Sequence, residues 1–480
     1  MNYRMIGNMV GRLLLLEAGL LLLPALVSLL YSESSLWALL ATAGVALLLG
    51  GLLTVAVRVK DKTIYAKEGF VIVSLSWILL SAVGALPFVL SGEMPSYVDA
   101  LFETVSGFTT TGASVATDLY AFSHGVLFWR SFTHWIGGMG VLVLMMALIP
   151  TGTGRTIHVM RAEVPGPVVG KLVPRLRDTA KILYLIYLAM TVLMVVCLLC
   201  AGMPLFDSFI HAFGTAGTGG FGMHPTGVGG YSPAIQWIIT IFMLLFGVNF
   251  NLYYLLLIRA FRPAATNREL WVYLGVVAVS TGLIGFNVLP LYDNAGEAVR
   301  HAAFQVSSVV TTTGFATVDF NLWPGLSRGV IFLLLFMGGC AGSTAGGLKV
   351  SRVMLLGKTV VRELKRLVHP RSVGVVRLEG KRVEEETVHS TAAYFILYMA
   401  LIAVSFLILS AEPFSLETNL TAAITCLNNV GPGLGEVGPM GGFAAYSDPS
   451  KVVLTMVMLL GRLEIYPLVL TLLPDTWIKE

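Results

Sequence analysis

Four stretches of glycine, threonine and other small residues carry the chemistry open to this chain. The fullest, FQVSSVVTTTGFA, runs from Phe304 to Ala316, and a near-copy, FETVSGFTTTGA, runs from Phe102 to Ala113. In both, a Phe stands ten positions ahead of the Gly. A third version, HAFGTAGTGGFG, spans His211 to Gly222, and a looser fourth, AITCLNNVGPG, spans Ala423 to Gly433. Each joins a short apolar run of helical length to a Gly within a few extended residues. A short helix ending inside a membrane points its negative end at the cavity beyond it, which favours a cation there. The extended residues after it can turn carbonyl oxygens inward and replace an ion's water shell. Glycine suits this position because it reaches backbone angles that other residues avoid and has no side chain to block approach. The competing reading, Gly-rich surface turns, does not explain a matching apolar helix before each turn.

Loops of this kind need membrane-length segments around them, and the composition supplies them. The chain is 56% hydrophobic and only 12% charged, with mean hydropathy +0.81, whereas soluble domains carry about 25% charged residues. Two leading segments, Leu13 to Tyr31 and Leu36 to Val57, precede four pairs. The pairs are Phe70 to Leu90 with Leu127 to Ile149, Ile182 to Cys200 with Ile235 to Ile258, Leu270 to Leu291 with Val330 to Leu356, and Tyr394 to Leu409 with Val452 to Leu473. Each is near the ~20 residues that cross a bilayer, which predicts ten spans. Arg4 and Arg12 ahead of the first segment resemble a signal peptide, but the apolar run is too long, so a retained helix is expected. The four cysteines (Cys197, Cys200, Cys340, Cys426) sit in apolar or Gly-rich context and imply no disulfide framework.

Basic residues set the orientation. Arg58, Lys60, Lys62 and Lys67 follow the second span, and Arg155, Arg161, Lys171, Arg175, Arg177 and Lys181 follow the fourth. Arg259, Arg262 and Arg268 follow the sixth, and ten more lie between Lys349 and Arg382. The glycine-loop segments are poor in basic residues, Arg300 and Arg328 excepted. The positive-inside rule makes the basic segments cytoplasmic, so the four loops enter from outside and both termini lie inside.

A second feature is GGCAGSTAGG, from Gly338 to Gly347, in the middle of the eighth expected span. Its five glycines each cost up to ~1 kcal/mol in a helix interior, so a broken helix is expected. A small-residue packing seam is the bland alternative, and it is the reading given to Gly137, Gly138 and Gly140. Arg462 lies in the last span, roughly 16 Å below its start. An arginine at that depth costs ~2.5 kcal/mol or more unless it faces a partner or water. It either faces the path beside the Gly338 to Gly347 loop or pairs with a carboxylate on another helix. Glu464, two positions away, points to another face. Glu17 inside the first span has no partner that the sequence names.

These four divergent stretches, GGCAGSTAGGLKVSR at Gly338 to Arg352 and GRLEIYPL near the end resemble the Trk/Ktr/HKT superfamily of potassium transporters, most of all its bacterial TrkH-type membrane subunits. The resemblance covers nearly the whole chain. It implies an all-α polytopic membrane protein, with four helix–pore helix–helix repeats around one pore and two additional N-terminal helices. The corresponding divisions are 1–66, 67–154, 155–265, 266–385 and 386–480. It implies a potassium filter at Thr110, Thr111 and Gly112, at Thr218, Gly219 and Gly220, at Thr312, Thr313 and Gly314, and at Asn429, Val430 and Gly431. Within it Gly112, Gly220, Gly314 and Gly431 are the filter glycines. Repeats 2 and 4 lack the full Thr run, and Gly219 or Gly433 could take the place of Gly220 or Gly431. In this family a Ser in the first filter accompanies sodium preference, and glycine in all four accompanies potassium. A gate is implied at Gly338, Gly339, Gly342, Ser343, Thr344, Gly346 and Gly347, with Arg462. The implied partners are a second copy of the chain, a cytosolic ring of nucleotide-binding TrkA-type regulatory subunits and the lipid bilayer of the bacterial inner membrane. Potassium is then the substrate, and no cofactor, enzymatic activity or nucleic-acid partner is expected. The rival class is a proton- or cation-coupled symporter, which should show inverted repeats and intramembrane acidic residues, and few candidates for these exist.

Overall fold

A computed structural model describes residues 1–56, 65–140, 143, 176–224, 227–371 and 374–477. Outside these lie Val57, Arg58, Lys60 and Lys62, the far end of the expected Leu127 to Ile149 span from residue 144, and Arg155, Arg161, Lys171 and Arg175.

Among the described residues the chain is mostly helical, and six helices are long and apolar enough to cross a membrane without a sharp bend. They are Tyr3–Leu30, Ser35–Val55, Lys67–Leu90, Asp178–Cys200, Arg268–Leu291 and Glu385–Leu409. These are the two leading segments and the first member of each expected pair. The first helix begins earlier than hydropathy suggests, because the Asn2 side chain accepts from the Met5 backbone N–H (3.1 Å) and caps it. Glu17 is buried on it at 2% exposure, and neither carboxylate oxygen has a hydrogen-bond partner among the described residues.

The second member of each pair is a different object. His124–Gly138 stops at Met139, and Gly140 follows at φ 87°. Pro233–Phe246 turns by 90° into Phe250–Leu257. Gly325–Leu334 is separated from Val350–Val368 by a non-helical loop. Asp448–Arg462 gives way to Tyr466–Leu472. The break in the third pair was expected from its glycines. The uninterrupted spans expected at Leu127 to Ile149, Ile235 to Ile258 and Val452 to Leu473 are corrected. Hydropathy reports apolar content and is blind to chain direction. In the second pair the Asn249 side chain accepts from the Asn251 N–H (2.9 Å) and starts a new helix at the turn. In the fourth, Glu464 and Ile465 take positive φ (54° and 66°), and the Tyr466 N–H bonds the Glu464 carbonyl two residues back (2.7 Å). That is a γ-turn, a strained conformation for a β-branched residue.

Between the members of each pair lies one short helix: Tyr97–Phe108, Leu205–Gly217, Ala295–Val310 and Leu416–Asn428, of 12, 13, 16 and 13 residues. Ser96, Asn294 and Ser415 cap the first, third and fourth. Phe102 and Phe304, the residues ten ahead of the glycine, are fully buried. Small residues on the broken helices let these short helices approach closely. A Cβ on Gly137 would lie 1.8 Å from the Phe108 carbonyl oxygen, and one on Gly461 would lie 2.0 Å from that of Leu427.

Backbone cannot step aside as a side-chain tip can. Gly461→Ala is therefore expected to cost about 3 kcal/mol or more, the upper end of overpacking penalties. Gly275→Ala, where nothing lies within 4 Å of the added carbon, should leave stability equal or higher. Thermal unfolding of both variants in detergent checks this, and equal midpoints would refute the packing argument.

Candidate functional site

The four short helices end alike. Thr110, Thr218, Thr312 and Asn429 all take left-handed φ values, 55°, 57°, 56° and 53°. Two residues later Gly112, Gly220, Gly314 and Gly431 stand at φ 78°, 79°, 80° and 96°. Gly219 and Gly433 are not at positive φ. This repeated pattern fixes which residues of loops 2 and 4 correspond to TTG in loops 1 and 3, namely TGG at Thr218 to Gly220 and NVG at Asn429 to Gly431.

The four glycines also meet in space. A Cβ on Gly112 would fall 1.9 Å from the carbonyl oxygen of Gly219, and one on Gly220 would fall 1.9 Å from that of Thr313. One on Gly314 would fall 2.2 Å from that of Val430, and one on Gly431 would return to that of Thr111, at 2.7 Å. Each glycine thus faces the carbonyl that immediately precedes the next one, and the order 1, 2, 3, 4 closes on itself. A cavity of about 440 Å³ opens on this ring and touches all four glycines. Hydroxyls hold the loops from behind: Thr109 with Thr111 (2.7 Å) and Thr311 with Thr313 (2.8 Å). In the fourth loop the Asn429 amide donates to Thr111 Oγ1 (2.9 Å) and to the Met458 carbonyl (3.0 Å).

Residues 338–347 pack against this assembly from another side. The Gly346 N–H donates to Thr312 Oγ1 (2.7 Å), and a Cβ on Gly346 would lie 2.6 Å from the Asn428 carbonyl oxygen. The loop closes on itself through Gly338 N–H to the Leu348 carbonyl (2.9 Å). It also docks on the 90° turn of the second pair. The Cys340 N–H donates to the Gly247 carbonyl (2.9 Å), and the Phe250 N–H donates to that of Gly342 (3.0 Å). Arg462 ends its helix beside this loop. It donates to the carbonyls of Thr344 (3.0 Å), Gly137 (2.6 Å) and Gly138 (2.7 Å). Glu464 instead pairs with Arg352, whose guanidinium lies 4.2 Å from the Tyr394 ring centre. Lys349, 1% exposed, folds back onto the Ala345 and Gly346 carbonyls.

Two carboxylates escaped the sequence reading. Glu269, in the first turn of Arg268–Val288, accepts from the backbone N–H of Ala341 (2.7 Å) in the loop and of Ser351 (3.0 Å) in the first turn of Val350–Val368, so it ties the loop to the helix that follows it. Glu103, on the first short helix, forms a buried pair with Arg130 (2.6 Å). The signal was available in both cases, because an acidic residue facing the interior of an apolar bundle calls for a partner.

Comparison with known proteins gives the family. Residues 38–269 and 285–476 match the TrkH family, described as cation transport proteins. The chain belongs to the TrkH family. It is 39% identical to the Trk system potassium uptake protein TrkH of Salmonella typhimurium, over 99% of this chain and all of that one. It is 38% identical, with the same coverage, to the TrkH of Escherichia coli K12. The crystal structure of the potassium transporter TrkH from Vibrio parahaemolyticus superposes with TM-score 0.90 at 35% identity, covering both chains completely.

In this TrkH-family chain Glu269 accepts one hydrogen bond from the loop at 338–347 and one from the helix that follows it, and bonds to a charged group are worth ~1.5–3 kcal/mol each. Glu269→Ala should therefore make loop opening at least about tenfold more frequent. The buried Cys340 thiol (1% exposed) reports on this. In a background where Cys197, Cys200 and Cys426 are replaced by Ala, maleimide should label Cys340 slowly, and Glu269→Ala should accelerate labelling by that factor. An unchanged rate would remove Glu269 from control of the loop.

Proposed function

We propose that the chain carries potassium ions across the bacterial inner membrane through the ring of Gly112, Gly220, Gly314 and Gly431. The observation that carries this reading is the closure of the ring. Four backbone strands that converge without side chains bring carbonyl oxygens together at one axis, and carbonyl rings replace an ion's hydration shell. The relatives at 38–39% identity are named as potassium uptake proteins, and the similar solved structure is titled a potassium transporter. The ion ligands are the backbone carbonyls of Thr110, Thr111 and Gly112 and of their counterparts Thr218 to Gly220, Thr312 to Gly314 and Asn429 to Gly431. The chain works without covalent chemistry.

Each short helix with its two flanking helices makes one of four repeats, and the two leading helices bring the total to ten spans. Counting each broken helix as one crossing puts both termini in the cytoplasm, with the basic segments between Lys349 and Arg382 facing the same way. The 338–347 loop is the gate beneath the ring, and Arg462 holds it shut. A fixed positive charge there raises the barrier to a passing cation, and its bonds to Thr344, Gly137 and Gly138 tie the loop to the first repeat. The working assembly is a homodimer on a cytosolic nucleotide-binding ring. A route by which such a partner acts runs through the hairpin at Arg377–Leu378 and Lys381–Arg382. Glu379 at its turn accepts from the N–H groups of Arg268 (3.0 Å) and Glu269 (3.1 Å), and Glu269 in turn grips the loop.

The reading is tested with the purified chain in liposomes. Potassium and rubidium influx should exceed sodium influx, and currents should reverse at the potassium equilibrium potential without moving when pH is changed. A reversal potential that shifts with pH would favour proton-coupled transport instead. Gly112→Ser, whose Cβ meets a backbone carbonyl, should weaken discrimination against sodium. Arg462→Ala should raise potassium flux per folded molecule, and Arg462→Lys should raise it less. A fall in both flux and thermal stability in Arg462→Ala would show that the arginine is a structural anchor and not part of the gate.

A further inference from the structure

The four loops are held differently, and the first is the exception. Nine residues before the ring glycines stand Glu103, His211, Gln305 and Ala422. His211 bonds the carbonyl of Asp207 in its own helix (2.8 Å), and Gln305 donates to the Val318 carbonyl (3.2 Å). Glu103, fully buried, does more. One carboxylate oxygen accepts from the Ser114 hydroxyl (2.9 Å) and the other from the Val115 N–H (2.9 Å), two and three residues beyond Gly112. Arg130, 3% exposed, donates Nε to the same carboxylate (2.6 Å) and one terminal nitrogen to Ser114 Oγ (3.1 Å). Its other terminal nitrogen points at the Gly222 carbonyl (3.5 Å), and its guanidinium lies 3.5 Å from the Phe221 ring centre. Phe221 and Gly222 are the residues immediately after ring glycine Gly220. The pair therefore straps the strand leaving Gly112 to the strand leaving Gly220. Arg130 also lines the cavity that opens on the ring.

We propose that Glu103 and Arg130 are a positioning pair that fixes the first two loops and keeps the guanidinium beside the cavity charge-compensated, and so sets how well the ring distinguishes monovalent cations. The inference rests on the reading of the ring as an ion path. Two effects of the pair are separable. Its geometry sets the spacing of the Gly112 and Gly219 carbonyls, which governs selectivity. Its neutrality governs access, because an uncompensated guanidinium in a cleft repels an arriving cation.

Rubidium influx and the rubidium-to-sodium ratio, measured per folded molecule in liposomes, separate these effects. Glu103→Gln keeps the shape but leaves Arg130 unpaired, and influx should fall by about tenfold, the lower end of electrostatic effects on association. Glu103→Gln with Arg130→Gln restores neutrality without the strap, so influx should recover while the ratio stays severalfold below wild type. Arg130→Lys keeps the charge but loses the forked reach to Ser114 and Gly222, so the ratio should fall with influx largely kept. A pair that only stabilises the fold would lower yield and thermal midpoint and leave the ratio of the folded protein unaltered in all three variants, which would overturn the proposal. A double variant no faster than Glu103→Gln would overturn the neutrality half. Absence of rubidium influx in the wild-type chain would instead sink the ion-path reading itself.

Discussion

Everything else in this structure answers to the contact of each ring glycine with the carbonyl of its neighbour. Four strands can converge to that distance only if none of them carries a Cβ at the point of contact, and all four positions are glycine. Convergence brings the carbonyl oxygens of Thr111, Gly219, Thr313 and Val430 into that contact, beside a cavity that opens on the ring. Irregular backbone at membrane depth is tolerable only where protein or a water-filled path satisfies it. The short helices, the hydroxyl pairs behind the loops and the glycines at 137 and 461 bring the strands this close and hold them there.

The breaks in the second helices follow from the same constraint. A helix that ends inside the bundle leaves its last carbonyls without intrahelical donors. These carbonyls find donors in one another's neighbourhoods. Gly137 and Gly138 receive Arg462, Gly247 receives the Cys340 N–H, and Phe246 receives the Thr344 hydroxyl (3.3 Å). The cation at Arg462 also sits where two helix C-termini present their negative ends, its own and that of His124–Gly138. The 338–347 loop and Arg462 thus act together as a cap on carbonyls that two broken helices expose. Any movement that withdraws the cap must offer those oxygens something else, and water and a passing cation are the natural substitutes.

Much of this was legible in the chain. Loops 1 and 3 announced themselves because a Thr run and Gly ten positions after a Phe is a local pattern, and the five glycines of Gly338 to Gly347 favoured a break over a packing seam. Loops 2 and 4 were ambiguous by one or two residues, since TAGTGG and NNVGPG offer several glycines and only backbone dihedrals choose among them. Three helix breaks were missed because an apolar segment that turns by 90° has the same hydropathy as one that runs straight. In the second and fourth pairs Asn249, Glu464 and Ile465 carry the turns, and none of them is a glycine or proline; in the first, Gly140 follows the break, and the sequence alone reads it as part of a packing seam. Glu103 and Arg130 were passed over because they find each other 27 residues apart, and Glu269 because its partners lie 72 and 82 residues away.

The departures from the Thr-Thr-Thr-Gly pattern are understandable once the ring is seen as a backbone object. In the proposed reading an ion at its centre would meet carbonyl oxygens, which leaves the side chains free to change wherever the dihedrals survive. Asn429 shows how. Asparagine enters the left-handed region more readily than most residues, so it holds the φ of 53° that threonine holds in the other three loops. Its amide then reaches across to Thr111 in the first loop, where loops 1 and 3 use a hydroxyl pair within a single loop. The fourth loop is thereby tied to the first by a side chain, and the first to the second by Glu103 and Arg130. Two of the seams in a ring whose members are not identical are closed by two different chemistries, which is how four diverged segments of one chain can keep a common geometry at the axis.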